Sequence, residues 1–75
     1  MPKAFVMVDI EPGYERFVQE AVRRLHGIQL AYQITGAHDL ITFLDAEPYE
    51  KLAKAVAGVR RVEHVRSTET LLVLA

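Results

Sequence analysis

The apolar residues of this chain change their spacing in a set order, and that order constrains the fold more than any other feature. From Lys3 to Ile10, Ala4, Val6, Val8 and Ile10 alternate with Phe5, Met7 and Asp9, the period of two that a strand shows. Both faces are apolar for most of that length, as in a strand covered on two sides. After Glu11-Pro12-Gly13-Tyr14 the spacing becomes helical. Phe17, Val18, Ala21, Val22 and Leu25 share one face, while Glu15, Arg16, Gln19, Glu20, Arg23 and Arg24 take the other. Pro12 and the neighbouring carboxylates suit the free N–H groups of a helix start, and Glu20 and Arg24 stand in the favourable i,i+4 order. Gly27 is expected to stop the helix at C′.

Ile28 to Thr35 reads as a second strand, with Ile28, Leu30, Tyr32 and Ile34 on one side. A short connection, Gly36-Ala37-His38-Asp39, leads into a third strand from Leu40 to Leu44. Two strands so closely joined predict an antiparallel hairpin. Asp45 is a credible N-cap for a second helix, whose stripe is Tyr49, Leu52, Ala53 and Val56 and whose end is Gly58. A last strand runs from about Val62 to Leu74. The order is β-α-β-β-α-β. The halves echo each other faintly, Glu11-Pro12-Gly13-Tyr14-Glu15-Arg16-Phe17 against Glu47-Pro48-Tyr49-Glu50-Lys51-Leu52. This predicts an α+β, ferredoxin-like split βαβ fold: a four-stranded antiparallel sheet with two helices on one face. That fold carries no function by itself.

Composition then bears on assembly. The chain has 75 residues, enough for one domain over 1–75, and 51% of them are hydrophobic. A domain this small buries only about 60–65% of its unfolded surface. It has no cysteine with which to staple a small core. Two helices cover one sheet face, so whichever face Ala4, Val6, Val8 and Ile10 occupy, large apolar groups are left on the other. Such a patch usually marks an interface, and dimerisation through the open sheet face is the expectation.

Several function classes fall away. Nine Lys and Arg against ten Asp and Glu give a net charge of −1, without the basic excess of a direct nucleic-acid binder. The strands lack the paired exposed aromatics and basic residues with which RNA-binding sheets stack bases. Absent cysteine removes thiolate chemistry and Cys-based metal sites, and no two of His26, His38 and His64 have the spacing of a metal pair. No phosphate-cradling glycine loop occurs. No apolar run approaches the roughly 20 residues of a membrane span, and no signal-like start is present, so a cytoplasmic location is expected. No cofactor is indicated. His26 reads as a cation near a helix C-terminus, and His64 as a solvated residue opening the last strand. His38-Asp39 is the best polar candidate, although Asp39 reads most simply as bonding backbone N–H groups of a turn set by Gly36. In the polar island Ser67-Thr68-Glu69-Thr70, Thr68 and Thr70 present both hydroxyls to one sheet face, and Thr is also an ordinary strand residue.

Taken in order, Tyr32-Gln33-Ile34-Thr35-Gly36-Ala37-His38-Asp39-Leu40, a helix, and Val65-Arg66-Ser67-Thr68-Glu69-Thr70-Leu71-Leu72-Val73-Leu74 resemble the effector-binding domain of the leucine-responsive regulator (Lrp/AsnC) family. That domain is called RAM, for regulation of amino-acid metabolism. The shared pattern is a strand ending in Thr-Gly, a G-x-[Tyr/His/Phe]-D connection and a last strand with Thr-x-Thr before apolar residues. It covers essentially the whole chain. Ala37 departs from it, standing where a polar residue is common, and the first strand begins within a few residues of Met1, so no helix-turn-helix domain is expected.

The resemblance implies a non-enzymatic, amino-acid-sensing regulatory domain acting through ligand-linked oligomerisation. It implies sheet-face homodimers that assemble into rings, with the amino acid bound between dimers. Asp39 would accept from the ligand ammonium. N–H groups near Gly36 and Ala37, with the Thr68 or Thr70 hydroxyls, would donate to its carboxylate, and His38 lies in the same connection. Two other readings stand beside this one. A small enzyme of the dimeric α+β barrel kind would need His38 or His64 in a cleft with a perturbed pKa. A structural partner would co-assemble with full-length regulators.

Overall fold

A computed structural model describes residues 2–75. The elements are β1 (Lys3–Ile10), α1 (Glu15–Arg23), β2 (Ile28–Gln33), β3 (Leu40–Asp45), α2 (Tyr49–Arg60) and β4 (Val65–Leu72). The strands form one antiparallel sheet in the order β2-β3-β1-β4. This is the predicted ferredoxin-like arrangement, with the first and last strands side by side.

The alternation in β1 decides what the core contains. Ala4, Val6, Val8 and Ile10 are at most 2% exposed and face the helices. Leu40 and Leu44 of β3, Ala31 of β2, Val18 and Val22 of α1, and Leu52, Ala55 and Val59 of α2 close over them. Each large aliphatic group removed from water there contributes about 1.5–3 kcal/mol of transfer free energy. Thr42 is the one buried polar side chain among the described residues, and its Oγ1 donates to the Val6 carbonyl at 3.0 Å. On the opposite face Phe5 pairs with Phe43 and Leu71, and Met7 with Ile41. The two phenyl rings lie 4.9 Å apart. Tyr32, which pairs with Ile41, is 55% exposed and Leu71 is 47% exposed. None of the described elements covers this face.

Four local expectations are corrected. In β2 the register shifts between Ile28 and Leu30, so Ile28 pairs with Leu44 on the helix side while Leu30 and Tyr32 pair with Phe43 and Ile41 on the open side. The extra residue, Gln29, breaks the single-sided row, and the strand ends at Gln33. Helix α1 is capped at Arg24, and Gly27 instead turns the chain, at φ +90°, into β2. Helix α2 begins after Pro48, leaving Asp45 at the end of β3, and runs through Gly58 to Arg60 with Leu52, Ala55 and Val59 inward; Tyr49 is 57% exposed. The last strand covers Val65–Leu72, because residues 61–64 form a turn in which His64 takes φ 73°.

Candidate functional site

The connection between β2 and β3 is closed by its own backbone and tied to β1. The Ile34 N–H donates to the Asp39 carbonyl at 3.1 Å, and the Asp39 N–H to the Val8 carbonyl at 2.9 Å. Gly36 sits at φ +102° with open space where a Cβ would stand. Oδ2 of Asp39 accepts from the Ile10 N–H at 2.8 Å, at the point where the β1–β4 register shifts. Its carboxylate therefore serves a backbone donor of β1, 29 positions away, instead of the N–H groups of its own turn that the sequence led one to expect.

His38 does more than the sequence reveals. Its Nδ1 lies 3.0 Å from Oδ1 of Asp9, and its Nε2 lies 3.2 Å from Oε1 of Glu69. The Ser67 hydroxyl donates to Oδ2 of Asp9 at 2.7 Å. Asp9 is paired with Ser67, and Met7 with Glu69; paired residues share a face, so this cluster stands on the open side of the sheet. Asp9 is held below its ordinary 3.8, first by the Ser67 hydroxyl and then by His38, with Arg66 adding a favourable charge. His38 is raised above 6.5, first by its bond to Asp9 and then by the charges of Asp9 and Glu69, against some loss of hydration.

Thr68 and Thr70 pair with Val8 and Val6, which places their hydroxyls on the helix side. Thr70 and Leu72 line a shallow groove against Tyr49, Ala53 and Val56 of α2. The structure thus gathers Gly36, Ala37, His38 and Asp39 in one connection and sets Thr68 and Thr70 together elsewhere, with β1 between the two groups. Sequence reasoning missed Asp9, Ser67 and Glu69. The signals were the one carboxylate in an apolar strand, and the two polar residues that alternate with the threonines. Reading them required the pairing of the first strand with the last.

The other histidines are placed differently. His64, expected to be solvated, stacks on Tyr14 with centroids 3.6 Å apart, meets the edge of Phe17 at 5.5 Å, and has Nδ1 3.3 Å from Oε2 of Glu11. It pins the turn before β4 onto the start of α1. His26 lines an open groove with Gly27, Asp45, Lys51 and Lys54, at the other end of β2 from the connection. Among the described residues no group of three His, Cys, Asp or Glu is arranged to hold a metal ion; the carboxylates at His38 approach its two nitrogens from opposite sides and do not converge. No helix of the described residues is long and apolar enough to cross a membrane.

Comparison with known proteins gives this geometry its family. Residues 3–75 match the Lrp/AsnC ligand binding domain. An HTH-type transcriptional regulator of Pyrococcus abyssi, itself uncharacterized, is 29% identical over 68 residues, which are 89% of this chain and 43% of that regulator. This chain therefore spans less than half the length of that curated relative. The crystal structure of TTHA0845 from Thermus thermophilus superposes with a TM-score of 0.92 at 30% identity, covering all of this chain and 95% of that one. A transcriptional regulator of Neisseria meningitidis, solved as an L-Met complex, has the same fold, with a TM-score of 0.79 at 19% identity over 99% of this chain and 50% of that one. The chain belongs to the Lrp/AsnC family and has the ligand-binding domain of those transcriptional regulators.

Proposed function

We propose that this domain senses a free amino acid, or a metabolite of similar size and charge, and that binding shifts its assembly from sheet-face dimers to larger rings. The observation that carries the proposal is the connection Gly36-Ala37-His38-Asp39, exposed at Gly36 and Ala37 and half-buried at His38 and Asp39. It offers N–H groups beside a glycine with open space around it, and a carboxylate with only Oδ2 on the Ile10 N–H. A ligand ammonium would sit on the free side of Asp39, and the N–H groups of Gly36 and Ala37 would meet its carboxylate. The L-Met complex of the Neisseria meningitidis regulator, which shares the fold, supports an amino acid as the ligand class.

The position of the threonines adds a requirement. Thr68 and the connection flank β1 on opposite sides. The threonine hydroxyls stand on the helix side of the sheet, whereas the His38 cluster of the connection stands on the open side, with β1 between them. Thr68 or Thr70 would therefore contact the same ligand only from a second copy of the chain. A ligand held between copies binds one assembly better than another, and so shifts the population of assemblies. The uncovered face around Phe5, Phe43 and Leu71 would form the dimer, and full-length regulators of the family are the other partners that this face would accept.

Titration calorimetry against the twenty amino acids, paired with sedimentation velocity, tests the reading. At least one amino acid is expected to release or absorb heat and to change the sedimentation coefficient, with both effects lost in Asp39→Ala. No heat and no change of size for any of them would overturn it.

A further inference from the structure

We infer that His38 is a proton-operated clasp: in its charged form it ties the 34–39 connection across β1 to β4, and loss of its proton frees the connection on the Glu69 side. The number of available donors requires this. Both ring nitrogens lie within hydrogen-bonding distance of a carboxylate oxygen, at 3.0 Å and 3.2 Å. An ionised carboxylate only accepts, and a neutral imidazole carries one N–H. Only the imidazolium satisfies both contacts. A neutral ring would aim a nitrogen lone pair at one carboxylate and leave two negative charges facing it.

The side that opens follows from the surroundings. Asp9 is held in place by the Ser67 hydroxyl at 2.7 Å and makes the shorter bond to the ring. The Glu69 side chain is 58% exposed and can rehydrate. The remaining proton therefore stays on Nδ1 toward Asp9, and the Nε2 contact to Glu69 is given up. The charged groups around the ring come from every neighbouring element. They are Asp9 from β1, Glu69 and, through its field at Asp9, Arg66 from β4, and Asp39 from the connection itself, engaged with the Ile10 N–H.

The pH window follows from the direction of each shift. His38 is raised above 6.5, so its contribution to stability is complete below that value and is lost as pH rises through the raised one. Asp9 is depressed below 3.8, so its contribution is complete above that value and is lost as pH falls through the lowered one. The clasp is fully closed between the two and opens on the alkaline side. This deepens the effector reading, since the same connection would hold the ligand ammonium, but its structural half stands whether or not a ligand binds.

Nitrogen-15 NMR of the imidazole rings, together with backbone amide order parameters for residues 36–39, tests the clasp from about pH 5.5 to about pH 8.5. His38 is expected to titrate above the ordinary histidine value. The order parameters of the connection are expected to fall at the same midpoint. Asp9→Asn should lower that midpoint. Glu69→Gln, a change at the exposed partner, should keep the Asp9 bond yet remove the pH step in order. A midpoint at the ordinary value, or order that does not change with pH, overturns the clasp. Amino acids that give no heat beside a clasp that titrates as described would overturn the effector reading alone.

Discussion

Gly27 and Gly36 both turn the chain with positive φ, at +90° and +102°, yet they answer to different constraints. At Gly36 a Cβ would meet nothing within 4 Å, so Gly36→Ala carries only the left-handed backbone penalty of about 1–2 kcal/mol. At Gly27 a Cβ would stand 3.3 Å from Cβ of Ala55 on α2, and overpacking adds to the backbone term, for a total of about 2–4 kcal/mol. Urea midpoints should therefore rank wild type above Gly36→Ala, and Gly36→Ala above Gly27→Ala. The need for glycine at both places was legible in the sequence, because turns between patterned segments call for it. The close approach of Ala55 was not, because it depends on how α2 crosses the end of α1. His38 shows the same division. Its candidacy came from local chemistry, but its bond to Asp9 joins residues 29 positions apart and exists only once β3 lies beside β1.

The second helix shows where periodicity loses its power to choose a face. Its sequence carries four alanines and valines between Leu52 and Val59, and small apolar groups suit either a core or a surface. Spacing alone groups Tyr49 and Ala53 with Leu52 and Val56. The structure turns the stripe so that Ala55 and Val59 go inward and Ala53 faces out. Leu52 and Val59, two turns apart and both buried, set that rotation. Ala53→Glu should leave thermal and urea stability within about 0.5 kcal/mol of wild type. Ala55→Glu should cost about 4 kcal/mol or more by forcing a carboxylate among apolar groups. Circular dichroism melts of the two variants check the assignment, and equal losses would contradict it. The bulge in β2 was illegible for a related reason. Gln29 is a plausible strand residue, and only the paired strand β3 shows that it is one too many.

At the scale of the whole molecule, part of the apolar excess of the composition has a definite place. It is spread over Phe5, Met7, Ile41, Phe43, Leu30, Tyr32 and Leu71, on the face that no helix covers. Phe43→Asp, in the middle of that face, should leave the far-ultraviolet spectrum unchanged and convert a dimer at high micromolar concentration into a monomer by sedimentation velocity. A wild-type chain that is itself monomeric under those conditions would refute the dimer. The sheet order has one more consequence. Because β1 and β4 are antiparallel neighbours, Ala4 lies opposite Leu72, and the Val73 N–H reaches the Lys3 carbonyl at 3.0 Å. Positions 3 and 73 meet in space, so a short peptide bridging them would turn the chain into a closed loop without moving a strand. A loop has no privileged starting point. Opened at a surface turn such as residues 34–39, the same elements would be read in a different order and still assemble the same sheet, which makes the order of this chain one circular permutation among several.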